Sequence, residues 1–297
     1  MKCDRCGSAA IIYQKYSGAH LCSRHFREDV ERKIKRDIRK RGMVRRGDRV
    51  AIALSGGKDS TVLTHVLHKI FSAREDIELM AVTIDEGISG YRERTLSLAA
   101  GLTKSLGIPH VVRTFRDEFG RSLDEMIAEK RGGACTVCGV LRKKLLNKTA
   151  RELGAQRLAT GHNLDDEAQT VLMNYLRGDI NWMARLAPEG EEEDMVPRIK
   201  PLRSVPEKEV ALYALTNELP MSLDECQYAH AALRNEAREF VNSYEVRHPG
   251  TKYSIVNGFD RLMSAVMPPS SLLMKCRLCG EPTSRQVCRA CRLLGYR

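Results

Sequence analysis

The chain has 297 residues, 42% of them hydrophobic, enough for one large domain with small appendages or for two domains. No apolar run approaches the ~20 residues of a membrane span. The chain opens on Cys3 and Cys6 rather than on an apolar signal core, so a cytoplasmic protein without a membrane partner is expected. A net charge of +11 and a pI near 9.2 suggest a polyanionic partner, most simply nucleic acid.

In chain order, Cys3-x2-Cys6 and Cys22-x2-His25 bracket a small module over residues 1–26. A basic helical linker follows over 27–47. Phe26, Val30, Ile34 and Ile38 recur every fourth residue and predict a helix with one apolar stripe. Arg32, Lys33, Arg36, Arg39 and Lys40 lie largely off that stripe, which predicts a solvated cationic face.

Residues 48–220 alternate strand-like and helical runs. Strands are predicted at 50–54, 78–85, 110–115 and 157–160, and helices at 60–72, 92–106 and 139–153. That alternation predicts an α/β fold: a parallel sheet with helices on both faces. Ligands bind such sheets beyond the carboxyl ends of the strands. Ser55–Ser60, Asp85-Glu86-Gly87 and Gly161-His162-Asn163 should all lie there. Residues 178–197, with the acidic run Glu189–Asp194, read as a loop, and 199–202 as one more strand. Helices are predicted at 207–218 and 229–244. The tail over 221–271 carries Cys226 and ends in the linker Pro268-Pro269-Ser270-Ser271. The closing module, 272–297, is again basic and cysteine-rich.

Ser55-Gly56-Gly57-Lys58-Asp59-Ser60 stands between an apolar strand and a helical run. Two adjacent glycines let the backbone approach an anion, and the following helix offers unpaired N–H groups and its positive dipole end. A Walker-type loop would need glycine where Ile52 stands.

Ten cysteines in a cytoplasmic chain favour metal ligation over disulfides. Cys276-x2-Cys279 and Cys288-x2-Cys291 make a four-thiolate set, and Cys3, Cys6, Cys22 and His25 a Cys3His set. Both suit closed structural zinc sites. The remaining three, Cys135, Cys138 and Cys226, are one ligand short of such a site. Cys135-x2-Cys138 reads as a loop leading into a helix, whose N-terminus would lower the thiol pKa. Spacing alone leaves open an iron–sulfur cluster with one open iron, a redox or persulfide pair, and a Cys226 that is merely a small buried hydrophobe.

Together these pieces resemble the tRNA 2-thiouridine synthetases of the TtcA/TtuA branch of the PP-loop ATP pyrophosphatases. The resemblance is carried by the six-residue loop, Cys3-x2-Cys6 with Cys22-x2-His25, Cys135-Thr-Val-Cys138-Gly139, Gly161-His162-Asn163-Leu164-Asp165-Asp166-Glu167-Ala168, Cys226 and the terminal double CxxC. The paired terminal modules point to the TtuA-like group with its archaeal and eukaryotic wobble-uridine thiolases.

The resemblance implies that ATP, with Mg2+, and a tRNA uridine bind together. The uridine C2 oxygen attacks the α-phosphate, pyrophosphate leaves, and sulfur then displaces AMP from C2. It implies a 4Fe-4S cluster on Cys135, Cys138 and Cys226, two zinc ions, and a homodimer. Sulfur would come from a ubiquitin-like carrier with a C-terminal thiocarboxylate or from free sulfide. Ala53, Ser55, Gly56, Gly57, Lys58, Asp59, Ser60, Ile84 and Gly161 should line the nucleotide, with Ile84 touching adenine. Arg142, one helical turn after Cys138, would stabilise α-phosphate charge, or would be an ordinary solvated arginine. Asp165 and Asp166 would position Mg2+ or the base, or merely cap a helix. His162 would serve as a base or a structural residue.

Two other classes compete. A non-catalytic zinc-containing RNA-binding protein needs neither the glycine loop nor the third cysteine set. A PP-loop ligase of other specificity, such as a lysidine or amidotransferase-type synthetase, has no reason to keep Cys135, Cys138 and Cys226 together.

Overall fold

The computed structural model describes residues 1–128, 133–178, 194–228, 234–265 and 274–296. The linker expected at 268–271, most of the acidic run from Glu189 and the start of the helix expected from Ala229 lie outside the described residues.

Strands β1 (Ile12–Gln14) and β2 (Ala19–Leu21) form a hairpin that leads into α1 (Ser23–Lys40). Phe26, Val30, Ile34 and Ile38 of α1 are buried as their spacing predicts. They join one core cluster with Val62, Leu63, Val66 and Leu67 of α2 (Lys58–Phe71), so α1 is built into the main body. Arg32, Arg36, Arg39 and Lys40 are exposed. Lys33 departs from the expected cationic face. Its ammonium turns inward and pairs with Asp29 and Glu209, each at 2.9 Å.

The sheet contains β3 (Arg49–Ala53), β4 (Glu78–Asp85), β5 (His110–Thr114), β6 (Arg157–Ala159) and β7 (Arg198–Ile199). Its order is β5-β4-β3-β6-β7, all parallel. Helix α3 (Arg92–Leu106) follows β4. Val50, Ala51 and Ile52 are fully buried, as expected of a parallel strand covered on both faces.

Several boundaries differ from expectation for local reasons. β5 stops at Thr114 because its hydroxyl caps α4 (Phe115–Phe119), accepting from Asp117 N at 2.9 Å. A further short helix, α5 (Leu123–Ala128), follows. β7 ends two residues ahead of Pro201, which has no N–H to donate to a ladder. Helix α6 (Ala134–Glu152) begins five residues before the expected start, after Gly133 at φ 81°. Cys135 and Cys138 therefore sit in its opening turns, not on a loop.

Helix α7 (Leu164–Leu176) follows β6, and α8 (Glu207–Thr216) packs beside α2. Helices α9 (Arg234–Arg247) and α10 (Thr251–Ala265) cover α7 through Val241 and Val256, and the reading of the sequence missed α10 altogether. The closing module is a two-stranded ribbon, β8 (Met274–Lys275) and β9 (Pro282–Thr283), followed by α11 (Arg289–Leu294). Its Cys276, Cys288, Ala290 and Cys291 share a core cluster with Leu141 and Leu145 of α6.

Candidate functional site

The glycine loop leaves β3 and enters α2 at the carboxyl end of the sheet, where the chain order predicted it. Gly56 has φ 82°, and a Cβ there would lie 2.2 Å from the Thr95 carbonyl oxygen of α3, so only glycine fits. Ser60 Oγ accepts from Ser55 N at 3.1 Å and donates to the Gly57 carbonyl at 3.0 Å, which pins the loop from inside. No side chain caps α2 at Gly57, so no side chain covers the first N–H groups at the positive dipole end of the helix.

Lys58 and Asp59 are drawn into a network. Lys58 Nζ donates to Asp59 at 2.9 Å and to Glu207 at 3.0 Å. Burial works to lower the Lys58 pKa, but Asp59 and then Glu207 outweigh it and hold the ammonium charged. The other Asp59 oxygen accepts from Asn163 Nδ2 at 3.0 Å. Gly161 lies against the same loop, since a Cβ on it would meet Asp59 C and Ser60 N at 3.0 Å.

Asn163 caps α7 in a capping box with Asp166. The capping alternative for Asp166 is thus realised, while its carboxylate still neighbours Asp59. Burial raises the Asp166 pKa, Arg234 opposes the rise and Asp59 adds to it. Asp165 does not join this group. It is 4% exposed, and its oxygens are taken by Lys252 Nζ of α10 and by Glu207 N at 2.8 Å. It anchors α10 and α8 instead of reaching for Mg2+.

Ile84 also differs from expectation. Its side chain is buried in the core, and its carbonyl already accepts from Arg92 Nη2. The buried Arg92 is a junction that sequence reasoning missed. It donates to the Ser55 carbonyl at 3.1 Å and pairs with Glu86 at 2.9 Å. Glu86, 3% exposed, also accepts from Arg142 Nη1 at 3.3 Å. The available signal was Glu86 itself, a carboxylate at a strand's carboxyl end.

Arg142 faces Cys138 as well as Glu86, and both keep its guanidinium charged against the cost of burial. Cys138 responds to Cys135 and Cys226, and Cys135 Sγ donates to the Tyr228 carbonyl at 3.0 Å, two residues beyond Cys226. The fold therefore gathers all three cysteines. They stand further apart than the ligands of the two terminal sets, which lie within 4.8 Å of one another. Burial pushes Cys138 up to about 11, overturning the expectation that the helix N-terminus would lower it.

His162 follows Gly161 and bonds Thr160 Oγ1 through Nδ1 at 2.9 Å. Burial first, then Lys200, Arg234, Lys143 and Arg198, bring its pKa down to about 3. It is neutral near pH 7 and a weak proton acceptor.

At the N-terminus, Cys3 and Cys22 lie 3.3 and 3.5 Å from His25 Nδ1, and Cys6 lies 3.7 Å from Cys22. At the other end Cys279 and Cys288 are 3.7 Å apart, and Cys276 and Cys291 4.0 Å. Burial opposes ionisation of Cys276, but N–H groups of Cys288, Leu278 and Cys279 draw it down to about 6. Both donor sets have the ligand types and closeness of a tetrahedral metal site.

Residues 26–245 match the PP-loop domain family, and residues 2–27 match the N-terminal LIM domain of 2-thiouridine synthetase TtuA. The tRNA 2-thiolation protein NcsA of Haloferax volcanii is 43% identical over 99% of this chain and 98% of its own. The chain belongs to the PP-loop family of tRNA 2-thiolation proteins. Cytoplasmic tRNA 2-thiolation protein 1 of Caenorhabditis elegans is 38% identical over 97% of this chain and 78% of its own. Among solved structures, the U34-tRNA thiolase NcsA of Methanococcus maripaludis with its [4Fe-4S] cluster superposes with a TM-score of 0.88. It is 37% identical, covering 99% of this chain and 95% of that one. Within the described residues of this tRNA 2-thiolation family member, no helix is long and apolar enough to cross a membrane.

Proposed function

We propose that the chain is a tRNA uridine 2-sulfurtransferase that adenylates the C2 oxygen of uridine with ATP and then replaces that oxygen with sulfur. One observation carries this reading. The glycine loop and the three-cysteine set meet at one end of the sheet, joined through Arg92, Glu86 and Arg142.

ATP lies with its pyrophosphate on the N–H groups of Gly57 to Ser60 at the start of α2. Ala53 and Gly161 border the same space. Asp59 and Asp166 both bond Asn163, which brings two carboxylates beside the loop to hold Mg2+. The uridine C2 oxygen attacks the α-phosphate and pyrophosphate departs. Arg142 offsets charge on the α-phosphate. A carbonyl oxygen leaves poorly, whereas its AMP ester leaves readily when sulfur attacks C2.

Cys135, Cys138 and Cys226 fit a cluster with one open position: three thiols gathered by the fold, more widely spaced than the ligands of a single ion. A 4Fe-4S cluster held by Cys135, Cys138 and Cys226 would supply a binding position for the incoming sulfur. The terminal sets, Cys3, Cys6, Cys22 and His25 and the four cysteines of the closing module, would each hold a zinc ion. Sulfur comes from a ubiquitin-like carrier with a C-terminal thiocarboxylate or from free sulfide. The protein works in the cytoplasm as a homodimer, and the exposed cationic face of α1 adds to its tRNA surface.

The test is Asp59→Ala. It should abolish AMP and pyrophosphate release in the presence of tRNA while the protein stays folded. Release of ADP and phosphate by the unaltered protein would overturn the reading. Anaerobic metal analysis should give about four irons and two zincs per chain by ligand count.

A further inference from the structure

Two arginines of α9 reach the glycine loop through its acidic neighbours. Arg234 and Arg238 stand four positions apart and so share one face of the helix. Arg238 Nη2 donates to Glu207 Oε1 at 3.4 Å, and the same oxygen accepts from Lys58 Nζ at 3.0 Å. Lys58 and Asp59 open α2, and Lys58 Nζ also donates to Asp59 Oδ2 at 2.9 Å. Asp59 Oδ1 accepts from Asn163 Nδ2 at 3.0 Å, and Asn163 N donates to Asp166 Oδ2 at 3.2 Å. Arg234 Nη1 lies 3.8 Å from Asp166 Oδ1. Contact by contact, the seven residues form a circuit that starts and ends on α9 and passes through the first turn of α2.

The circuit contains three cations, Lys58, Arg234 and Arg238, and three carboxylates, Asp59, Asp166 and Glu207. A polyphosphate laid on the start of α2 comes close to those carboxylates. Like charges at such range repel, so the polyphosphate needs cations turned towards it.

The two arginines are the members best able to turn. Lys58 is held at 2.9 and 3.0 Å, and its side chain is 18% exposed. The guanidinium contacts are longer, 3.4 and 3.8 Å, and the second is beyond hydrogen-bond reach. The Arg238 and Arg234 side chains are 47% and 42% exposed. Such ion pairs contribute little to stability, so exchanging a carboxylate for a phosphate costs little. Arg234 Nη2 meanwhile donates to Thr170 Oγ1 at 2.7 Å, which anchors the guanidinium against α7 beside Asp166. A guanidinium presents a planar fork of donors that matches phosphate oxygens.

We propose that Arg234 and Arg238 close on the β- and γ-phosphates of bound ATP and hold the pyrophosphate as it leaves. This rests on the reading of the chain as an enzyme that adenylates uridine. As the uridine C2 oxygen bonds to the α-phosphorus, the bond from that phosphorus to the bridging oxygen breaks. The bridging oxygen keeps the electron pair and departs with the pyrophosphate. The two guanidiniums stabilise the charge that develops there, while Arg142 serves the α-phosphate.

The experiment titrates inorganic pyrophosphate, with AMP and ATP in parallel, into the full-length protein by calorimetry at fixed salt with Mg2+ present. In R234Q/R238Q the affinity for pyrophosphate should fall about tenfold or more, while that for AMP stays unchanged. R238Q/E207Q neutralises the carboxylate beside Arg238 together with the arginine. A weakened pyrophosphate affinity there reports the lost guanidinium and not an unbalanced Glu207. Unchanged pyrophosphate affinity in R234Q/R238Q would overturn the grip and leave the adenylation reading standing. Full affinity in R238Q/E207Q would make Arg238 a counter-charge to Glu207 and overturn its part in the grip. An equal fall for AMP and pyrophosphate would show a disturbed site and overturn a hold on the leaving group. Failure of the unaltered protein to bind ATP or pyrophosphate at all would overturn the adenylation reading, and the grip with it.

Discussion

Glu86 accepts from Arg142 Nη1 at 3.3 Å through one carboxylate oxygen and meets Arg92 Nε at 2.9 Å through the other. Arg92 in turn bonds the carbonyl of Ser55, the first residue of the glycine loop. A single buried carboxylate thus links the nucleotide side of the site to the cysteine side. Glu86→Gln keeps the shape and removes the charge. It should lower kcat for thiolation by at least tenfold with a smaller change in the KM for ATP. Glu86→Ala removes the nearer carboxylate from buried Arg92, leaving Asp85 at 4.0 Å, and should cost up to roughly 3–5 kcal/mol of stability. Steady-state kinetics and thermal unfolding separate the two effects. A Glu86→Gln enzyme with unaltered kcat would remove Glu86 from the positioning of Arg142.

The two loop glycines should differ in their tolerance of a methyl group. Gly56→Ala drives a Cβ to 2.2 Å from the Thr95 carbonyl at a φ of 82°. The loop or α3 must shift, at a cost of order 1–3 kcal/mol for the backbone conformation alone. A Cβ on Gly57 meets only Ser55 Oγ, at 3.6 Å. Thermal unfolding without ATP should therefore show a lower Tm for Gly56→Ala and a nearly unchanged one for Gly57→Ala. Equal Tm values would show that α3 does not confine the loop.

His162 should contribute an acid-sensitive part of the stability. Its pKa in the folded chain is about 3, below the ordinary value of 6.5, chiefly through burial and the surrounding cations. Below pH 6.5 the unfolded chain binds a proton there that the folded chain refuses. The contribution is complete above pH 6.5 and is lost as pH falls towards 3. His162→Asn should flatten the stability profile in that window relative to the unaltered protein, as read by denaturant unfolding at stepped pH. Parallel profiles would exclude His162 as the titrating group.

The C-terminal module should support the cysteines of α6 from a distance. Arg151 of α6 forks onto Glu281 at 2.5 and 3.3 Å, and Cys276, Cys288 and Cys291 pack in one cluster with Leu141 and Leu145. Replacing Cys276 and Cys291 by serine removes two ligands of the terminal metal set. Amide exchange along α6 should then quicken, and iron content should fall although Cys135, Cys138 and Cys226 are intact. Full iron occupancy in that variant would show that α6 holds its first turns unaided.

Much of this protein is legible in short stretches. Ser55–Ser60 reveals a phosphate loop because two glycines and a helix start are fixed by local backbone stereochemistry. Each CxxC of the two terminal modules sets two thiols side by side by spacing alone, and the stripe Phe26, Val30, Ile34, Ile38 follows the period of a helix. The tertiary structure decided what depends on contacts far apart in the chain. Lys58 meets Glu207 across 149 positions, Asp165 is claimed by Lys252 across 87, and Glu86 finds Arg142 across 56. Asp165 and Asp166 are adjacent and chemically identical, yet one is an internal anchor and the other remains beside Asp59. The pKa of Cys138 rises for the same kind of reason: local sequence offers a helix N-terminus, but burial by packing elements outweighs it. Local geometry sets which groups are available; packing and desolvation set which of them stay free to act.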